Sequence, residues 1–212
     1  MNWGAGAARR MQLFLLHREQ GRALDGIARD VADHAHEFPS PLVHGAVLAH
    51  VYARMERTEE AEALLRELTR RDLSDWHVDE EWLISICLLA ETCAILGDSG
   101  PADPLYRILL PYGSLNAVAV PELALDSTSR PLGILATLLG RFDDAARHFE
   151  TALRMNERMG ARPWVAHTQA DQARMLLRRD AEGDRARAER LLSQARATYR
   201  ELGMSSPPRF GT

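Results

Sequence analysis

Lysine is missing from this sequence: all 26 basic residues among its 212 are arginine. A GC-rich coding bias accounts for the choice, but the chemical consequence stands. No Schiff-base lysine and no phosphate-loop lysine is available. Aromatic residues make up only 6%, and β-branched residues are sparse, which argues against a strand-rich fold. Cysteine is limited to Cys87 and Cys93. Six residues along a helix turn through about 600°, so the two thiols lie off a common face. They form no disulfide framework, which fits a reducing compartment. There is no basic excess either. The net charge is −4, which argues against nucleic acid as a partner. The longest apolar stretch, 82–96, contains Glu91 and is too short to span a bilayer. The first 20 residues hold too short an apolar run for a signal peptide. A cytoplasmic protein without a membrane partner is expected.

What is present is helix-forming. Ala, Leu, Arg and Glu dominate, with 46% apolar and 26% charged residues, enough for a substantial core. Short turn signals recur at Gly21-Arg22, Glu56-Arg57, Gly97-Asp98, Gly140-Arg141 and Gly183-Asp184, each between runs of helical periodicity. Glycine suits these places because helices often end on a left-handed residue. Positions +5, +9 and +12 after four of the turns are Ala61, Leu65, Leu68; Ala102, Tyr106, Leu109; Ala145, Phe149, Ala152; and Ala188, Leu192, Ala195. Spacings of four and three place each trio on one helix face. After Gly21 the same offsets fall on Gly26, Asp30 and Asp33, and a frame shifted by one, through Ile27 and Val31, restores part of an apolar face. Ahead of the turns lie Leu48, Ala49 and Tyr52; Ile86, Leu89, Ala90 and Cys93; and Leu132 and Gly133.

This pattern resembles the tetratricopeptide repeat. Its turns are 35, 41, 43 and 43 residues apart, longer than the usual repeat of about 34, so the second helices run long or the linkers carry extra residues. The resulting expectation is an all-α, right-handed α-solenoid of about five TPR-like antiparallel helix pairs. They cover 6–36, 41–71, 80–111, 121–159 and 163–203, with links at 39–41, 73–79, 112–120 and 160–162. Residues 1–204 form one domain, and 205–212, with Pro207-Pro208, a disordered tail. Pro131 falls inside the fourth pair, where it kinks a helix or marks its true start.

The segments DEEWLISICLLAETCAILGD, LLPYGSLNAVAVPELAL and LGRFDDAARHFETALRMNERMGARPWVAHTQADQARMLLRR resemble the C-terminal helical-repeat arm of large bacterial signalling regulators. Those proteins carry an adenylate-cyclase or LuxR-type helix-turn-helix output domain and a central ATPase. The resemblance covers roughly 10–204 and is strongest over 79–204. No nucleotide-binding, cyclase or DNA-binding segment accompanies it here, so it implies the arm alone, as a free-standing protein or as a fragment. The implied partner is a protein or peptide, including an ATPase, cyclase or DNA-binding output domain absent from this chain.

Catalytic signals are weak. Gly97-Asp98-Ser99-Gly100-Pro101 reads like a serine-protease nucleophile loop, but in the repeat frame it is an inter-helix turn. Gly4-Ala5-Gly6 lacks the third glycine and the strand of a dinucleotide fingerprint. His34, His36 and His44, with Asp30 one turn before His34, could be metal ligands or simply histidines at a helix C-terminus. Asp79-Glu80-Glu81-Trp82 is an acidic docking patch or, in the simpler reading, a helix start with Trp82 packed on the neighbouring pair. The pairs Arg9-Arg10, Arg70-Arg71 and Arg178-Arg179 are dispersed. With no nucleophile–base constellation to assemble, an enzyme is not expected, nor is a cofactor or a metal.

In a tetratricopeptide stack the first helices line a concave groove. The resemblance transfers that frame onto His50, Arg54, Glu91, Ser127, Arg130, His167, Arg174 and Arg178 as a binding groove. Converging guanidinium groups can hold carboxylate or phosphate bidentately. The leading reading is a non-catalytic interaction or scaffold module. The alternative is an anionic-ligand sensor using the groove arginines, with the regions of Trp82 and Trp164 beside them. The Lys and Asn of the known clamp for peptide C-termini are absent from these positions.

Overall fold

The computed structural model describes residues 5–22, 24–37, 40–70, 78–79, 81–119 and 123–205. Within them, ten α-helices stack as five antiparallel pairs. The pairs are α1 (Ala5–Gln20) with α2 (Leu24–Asp33), α3 (Pro41–Arg54) with α4 (Thr58–Thr69), α5 (Trp82–Leu96) with α6 (Ala102–Leu109), α7 (Ser129–Leu138) with α8 (Phe142–Arg158), and α9 (Arg162–Arg179) with α10 (Asp184–Leu202). This is the expected TPR-like α-solenoid. No helix among the described residues is long and apolar enough to cross a membrane.

The turn frame explains the packing. Gly21, Gly97, Gly140 and Gly183 all take positive φ. Of the four trios, every residue except half-buried Leu192 is buried. In the first unit the shifted frame holds: Ile27 and Val31 are buried, while Gly26 and Asp33 are exposed. At the second turn Glu56 stands where the others have glycine, with φ 61°, a conformation that crowds any Cβ. The small position before the fourth turn is also steric in origin. A Cβ on Gly133 would lie 2.7 Å from the Phe149 ring, so glycine there lets α7 and α8 approach.

The long spacings have two sources. In the third and fourth units the linkers are extended, and in the fifth α8 and α9 run to 17 and 18 residues. The segment before the fourth turn corrects the sequence reading: the fourth pair does not begin at 121. Strands β1 (Asn116–Ala119) and β2 (Leu123–Ser127) form an antiparallel hairpin, with Asn116 opposite Ser127 and Val118 opposite Ala124. Ala117 and Leu125 are buried while Val118 and Ala124 are exposed, a period-two signal inside a helical chain. Pro131 therefore sits in the first turn of α7, where its missing N–H costs no hydrogen bond. The base of the hairpin is tied by Thr128, whose N–H and hydroxyl both donate to the Leu115 carbonyl at 3.0 Å. The Ser129 hydroxyl adds a bond to the Gly113 carbonyl at 2.7 Å.

One apolar cluster runs from Met11 to Ala188, and a smaller one joins Ala166, Ala170, Ala195 and Tyr199 between α9 and α10. Trp82 is buried, with its ring against Tyr112 at a centroid distance of 5.3 Å. Of the expected tail, only the first residue is described. Ser205 is placed, its N–H donating to the Glu19 carbonyl at 2.8 Å. Gly4, Pro39, Arg71, Glu80 and residues 73–77, 120 and 206–212 lie outside the described residues.

Two substitutions test this frame by urea denaturation. Glu56→Gly removes a strained left-handed residue and is expected to stabilise the protein by about 0.5–1 kcal/mol. Gly133→Ala forces a methyl group into Phe149 and is expected to cost about 1–3 kcal/mol.

Candidate functional site

The inner faces of the first helices carry most of the charge that the protein buries. Arg130, on α7 just after the hairpin, is the centre. Its guanidinium donates to Asp126 at the end of β2, to Glu91 on α5 and to Asp171 on α9, the last at 2.7 Å. The hairpin is what brings Asp126 there. The Ser127 N–H donates to the side-chain carbonyl of Asn156 on α8 at 3.2 Å, fixing the strand against the helix that follows. The network then spreads. Arg18 of α1 lies 3.1 Å from Glu91, and Arg174 donates to Asp171 at 2.6 Å. The ring nitrogen His50 Nε2 is 3.8 Å from Glu91. Glu19 of α1 accepts from His167 Nε2 at 2.6 Å, and the other ring nitrogen of His167 is 3.0 Å from the Tyr199 hydroxyl. Arg54 donates to the Arg18 carbonyl at 2.9 Å, where a cation suits a helix C-terminus.

The electrostatics follow from this geometry. Burial opposes the charge on Glu91, but the facing Arg130 and Arg18 win and hold its carboxyl well below the usual range. Burial likewise opposes Glu19. The charge and hydrogen bond of His167, with Arg18 behind, bring it from 4.5 down to about 2. Burial opposes the cation at Arg130 as well, and Asp126, Glu91 and Asp171 more than restore it. Burial and the neighbouring Arg18 push His50 from 6.5 down to about 3, so it stays neutral. Burial and Arg18 lower Arg54 to about 10.

The eight groove residues named from sequence thus divide. His50, Glu91, Ser127, Arg130 and His167 are buried, Arg54 is half-buried, and Arg174 has 22% of its side chain exposed. Arg178 is exposed and has no ion pair among the described residues. Glu91 and Arg130 meet directly, whereas Ser127 turns aside to the Met155 sulfur at 3.1 Å. Most of the buried ones engage one another, which the frame did not anticipate. Arg18, Glu19, Asp126, Asp171, Trp164 and Tyr199 complete the arrangement. Asp171 could have been found, since it lies four residues after His167 and three before Arg174 on the same helical stripe. Asp126 could not, because its strand was not foreseen. An anion entering here would have to displace a carboxylate already bound to Arg130.

Other candidate chemistry is absorbed by the fold. His34 Nδ1 and His44 Nε2 bond the carbonyls of Asp30 and Val31 at 2.8 and 3.1 Å. No group of three or more His, Cys, Asp or Glu among the described residues is placed to hold a metal ion. The Gly100 N–H closes its turn on Asp98 at 2.9 Å. The Glu81 N–H bonds Asp79 at 3.2 Å at the start of α5. Arg10 pairs with Asp30 and Arg179 with Asp184. Both cysteines are free, and burial pushes their thiols up, away from thiolate chemistry.

No protein-family model matches the sequence, and neither does any curated protein. Among solved structures, the chain is similar to the nearly identical TPR-like repeats assigned to a kinesin light chain of Podosopora anserina. That match has 18% identity and a TM-score of 0.48, covering 92% of this chain and 95% of that one. It is also similar to BtubC (BKLC) from P. vanneervenii, with 17% identity and a TM-score of 0.43 over 93% and 96% of the two chains.

Two measurements test the network. Arg130→Met leaves Asp126 buried without a cation, and Glu91 and Asp171 with only Arg18 and Arg174, and is expected to cost about 3–5 kcal/mol at pH 7.5. Arg178→Met, at the exposed rim, stays within about 0.5 kcal/mol. The second is pH dependence. His50 is held neutral, so its contribution is complete above pH 6.5 and is lost as pH falls towards about 3. That of Glu19 is complete above pH 4.5 and lost towards about 2. His50 alone is therefore expected to lower the unfolding free energy by up to about 1.4 kcal/mol per pH unit between pH 6.5 and 5. His50→Gln removes that share and leaves the contributions of His44 and His148, whose pKa burial also lowers.

Proposed function

We propose that this chain is a non-catalytic interaction module that binds a partner protein or peptide at the rim of its inner face. In this reading it works in the cytoplasm as the arm of a bacterial signalling or transcriptional regulator, with an ATPase, cyclase or DNA-binding output domain as its partner. One observation carries the choice of surface. Along α9 the inward stripe His167, Asp171, Arg174, Arg178 passes from buried to open. At its open end Arg178 is exposed without an ion pair among the described residues, beside Leu177, which is 47% exposed. A free guanidinium next to an uncovered leucine suits a polypeptide, which offers a carboxylate and an apolar side chain together. The anion-sensor alternative has no comparable support, because Arg130 and Arg18 are already matched by carboxylates.

Photo-crosslinking tests this. With p-benzoylphenylalanine at 181, an exposed position about one turn beyond Arg178, illumination in cells is expected to give one discrete protein adduct. The same label at 147, on the outside of α8, gives none. Arg178→Glu should reduce the adduct at least ten-fold. Equal labelling from both positions contradicts the rim as a binding surface. A discrete partner lacking any ATPase, cyclase or DNA-binding domain removes the regulator-arm reading and leaves the interaction module.

A further inference from the structure

The last turn of α1 lies on the inner face in the way a bound ligand would. Arg18 is 3.1 Å from Glu91, and its guanidinium carbon is 5.6 Å from the centre of the Trp164 ring. A carboxylate beside an aromatic face is a matched receptor for arginine. The next residue, Glu19, holds His167 at 2.6 Å, a contact between residues 148 positions apart in sequence. The bonds fixing this turn are few and polar: Arg54 to the Arg18 carbonyl at 2.9 Å, and the Ser205 N–H to the Glu19 carbonyl at 2.8 Å.

The fit is incomplete. Arg18 Nη1 and both ring nitrogens of His50 are buried with no hydrogen-bond partner. A face that was only ever buried would be better served by apolar side chains, as in the rest of this core, than by charges whose hydrogen bonds are left unmet. Polar groups make sense there if water or another chain sometimes reaches them. Once Arg18 and Glu19 are withdrawn, Glu91 keeps Oε1 on Arg130 while its Oε2, beside Trp164, can take a guanidinium, and His167 can take a carboxylate. Arg130 remains neutralised by Asp126 and Asp171.

We infer that the Arg18–Glu19 turn of α1 is a built-in occupant of the inner face, and that a partner segment presenting an arginine beside an acidic residue binds there by displacing it. This rests on the interaction-module reading and names the chemistry of the partner. The contact is autoinhibitory: the free protein is closed by its own pair of charges.

The probe is a fluorescein-labelled peptide copying residues 16–22, followed by anisotropy on the full chain. Arg18→Ala/Glu19→Ala protein is expected to bind it at least ten-fold more tightly than the wild type. Replacing the peptide's arginine that copies Arg18 by alanine, with the one that copies Arg22 kept, should abolish that gain. Hydrogen exchange keeps the test decisive. In the double variant the amides of 164–171 should exchange at least ten-fold faster while α8 keeps its protection. A double variant that keeps α8 protected and yet binds the peptide no better than wild type overturns the inference. So does one in which every helix loses protection together, because the turn is then a structural cornerstone. Neither result depends on crosslinks at 181, so this inference and the rim reading can fail separately.

Discussion

One guanidinium serves three carboxylates. Arg130 draws Asp126 of β2, Glu91 of α5 and Asp171 of α9 to a single point, and three of the five helix pairs are thereby referred to it. Such a centre gives little net stability compared with an apolar core of the same volume, because every ion in it has left water. What it supplies is geometry. A solenoid held only by neighbour-to-neighbour apolar contacts is free to vary its curvature. Here curvature is limited by the requirement that three helices and a strand keep their charges within bonding distance.

The closure extends to the ends of the stack. Glu19 in the first pair bonds His167 in the fifth, and the Ser205 amide after α10 bonds the Glu19 backbone. The Gly21 turn accommodates this, since a Cβ there would stand 2.7 Å from Ser205. A repeat stack normally exposes its inner face along its length. Among the described residues, the inner face is filled by its own side chains around His167, and the α9 stripe becomes exposed at Arg178. The accessible polar groups are therefore on the rim, where recognition is proposed, while the buried ones set the shape of that rim.

Much of the architecture was legible because it depends on local rules. Left-handed turns and the +5, +9, +12 spacing are set within one helix and its cap, so a single sequence shows them. The hairpin at 116–127 escaped because its strands are four and five residues long and lie between helices. Its pairing is specified by tertiary ties from Thr128, Ser129 and Asn156 rather than by a strong local pattern. The register named candidate groove residues, but not whether they are solvated or buried. Whether an arginine is solvated or buried depends on how nearly the stack closes, and that is decided by contacts such as Glu19 with His167 that no periodicity encodes.

Because every basic residue is arginine, arginine-specific labelling reads the account site by site. Phenylglyoxal modification of the folded protein, followed by peptide mass spectrometry, should label Arg178, Arg187 and Arg190 readily. Arg18 and Arg130 should be protected at least ten-fold until the protein unfolds. Labelling of Arg18 and Arg130 at the same rate as Arg178 would show an open, solvent-lined groove and contradict the closed network.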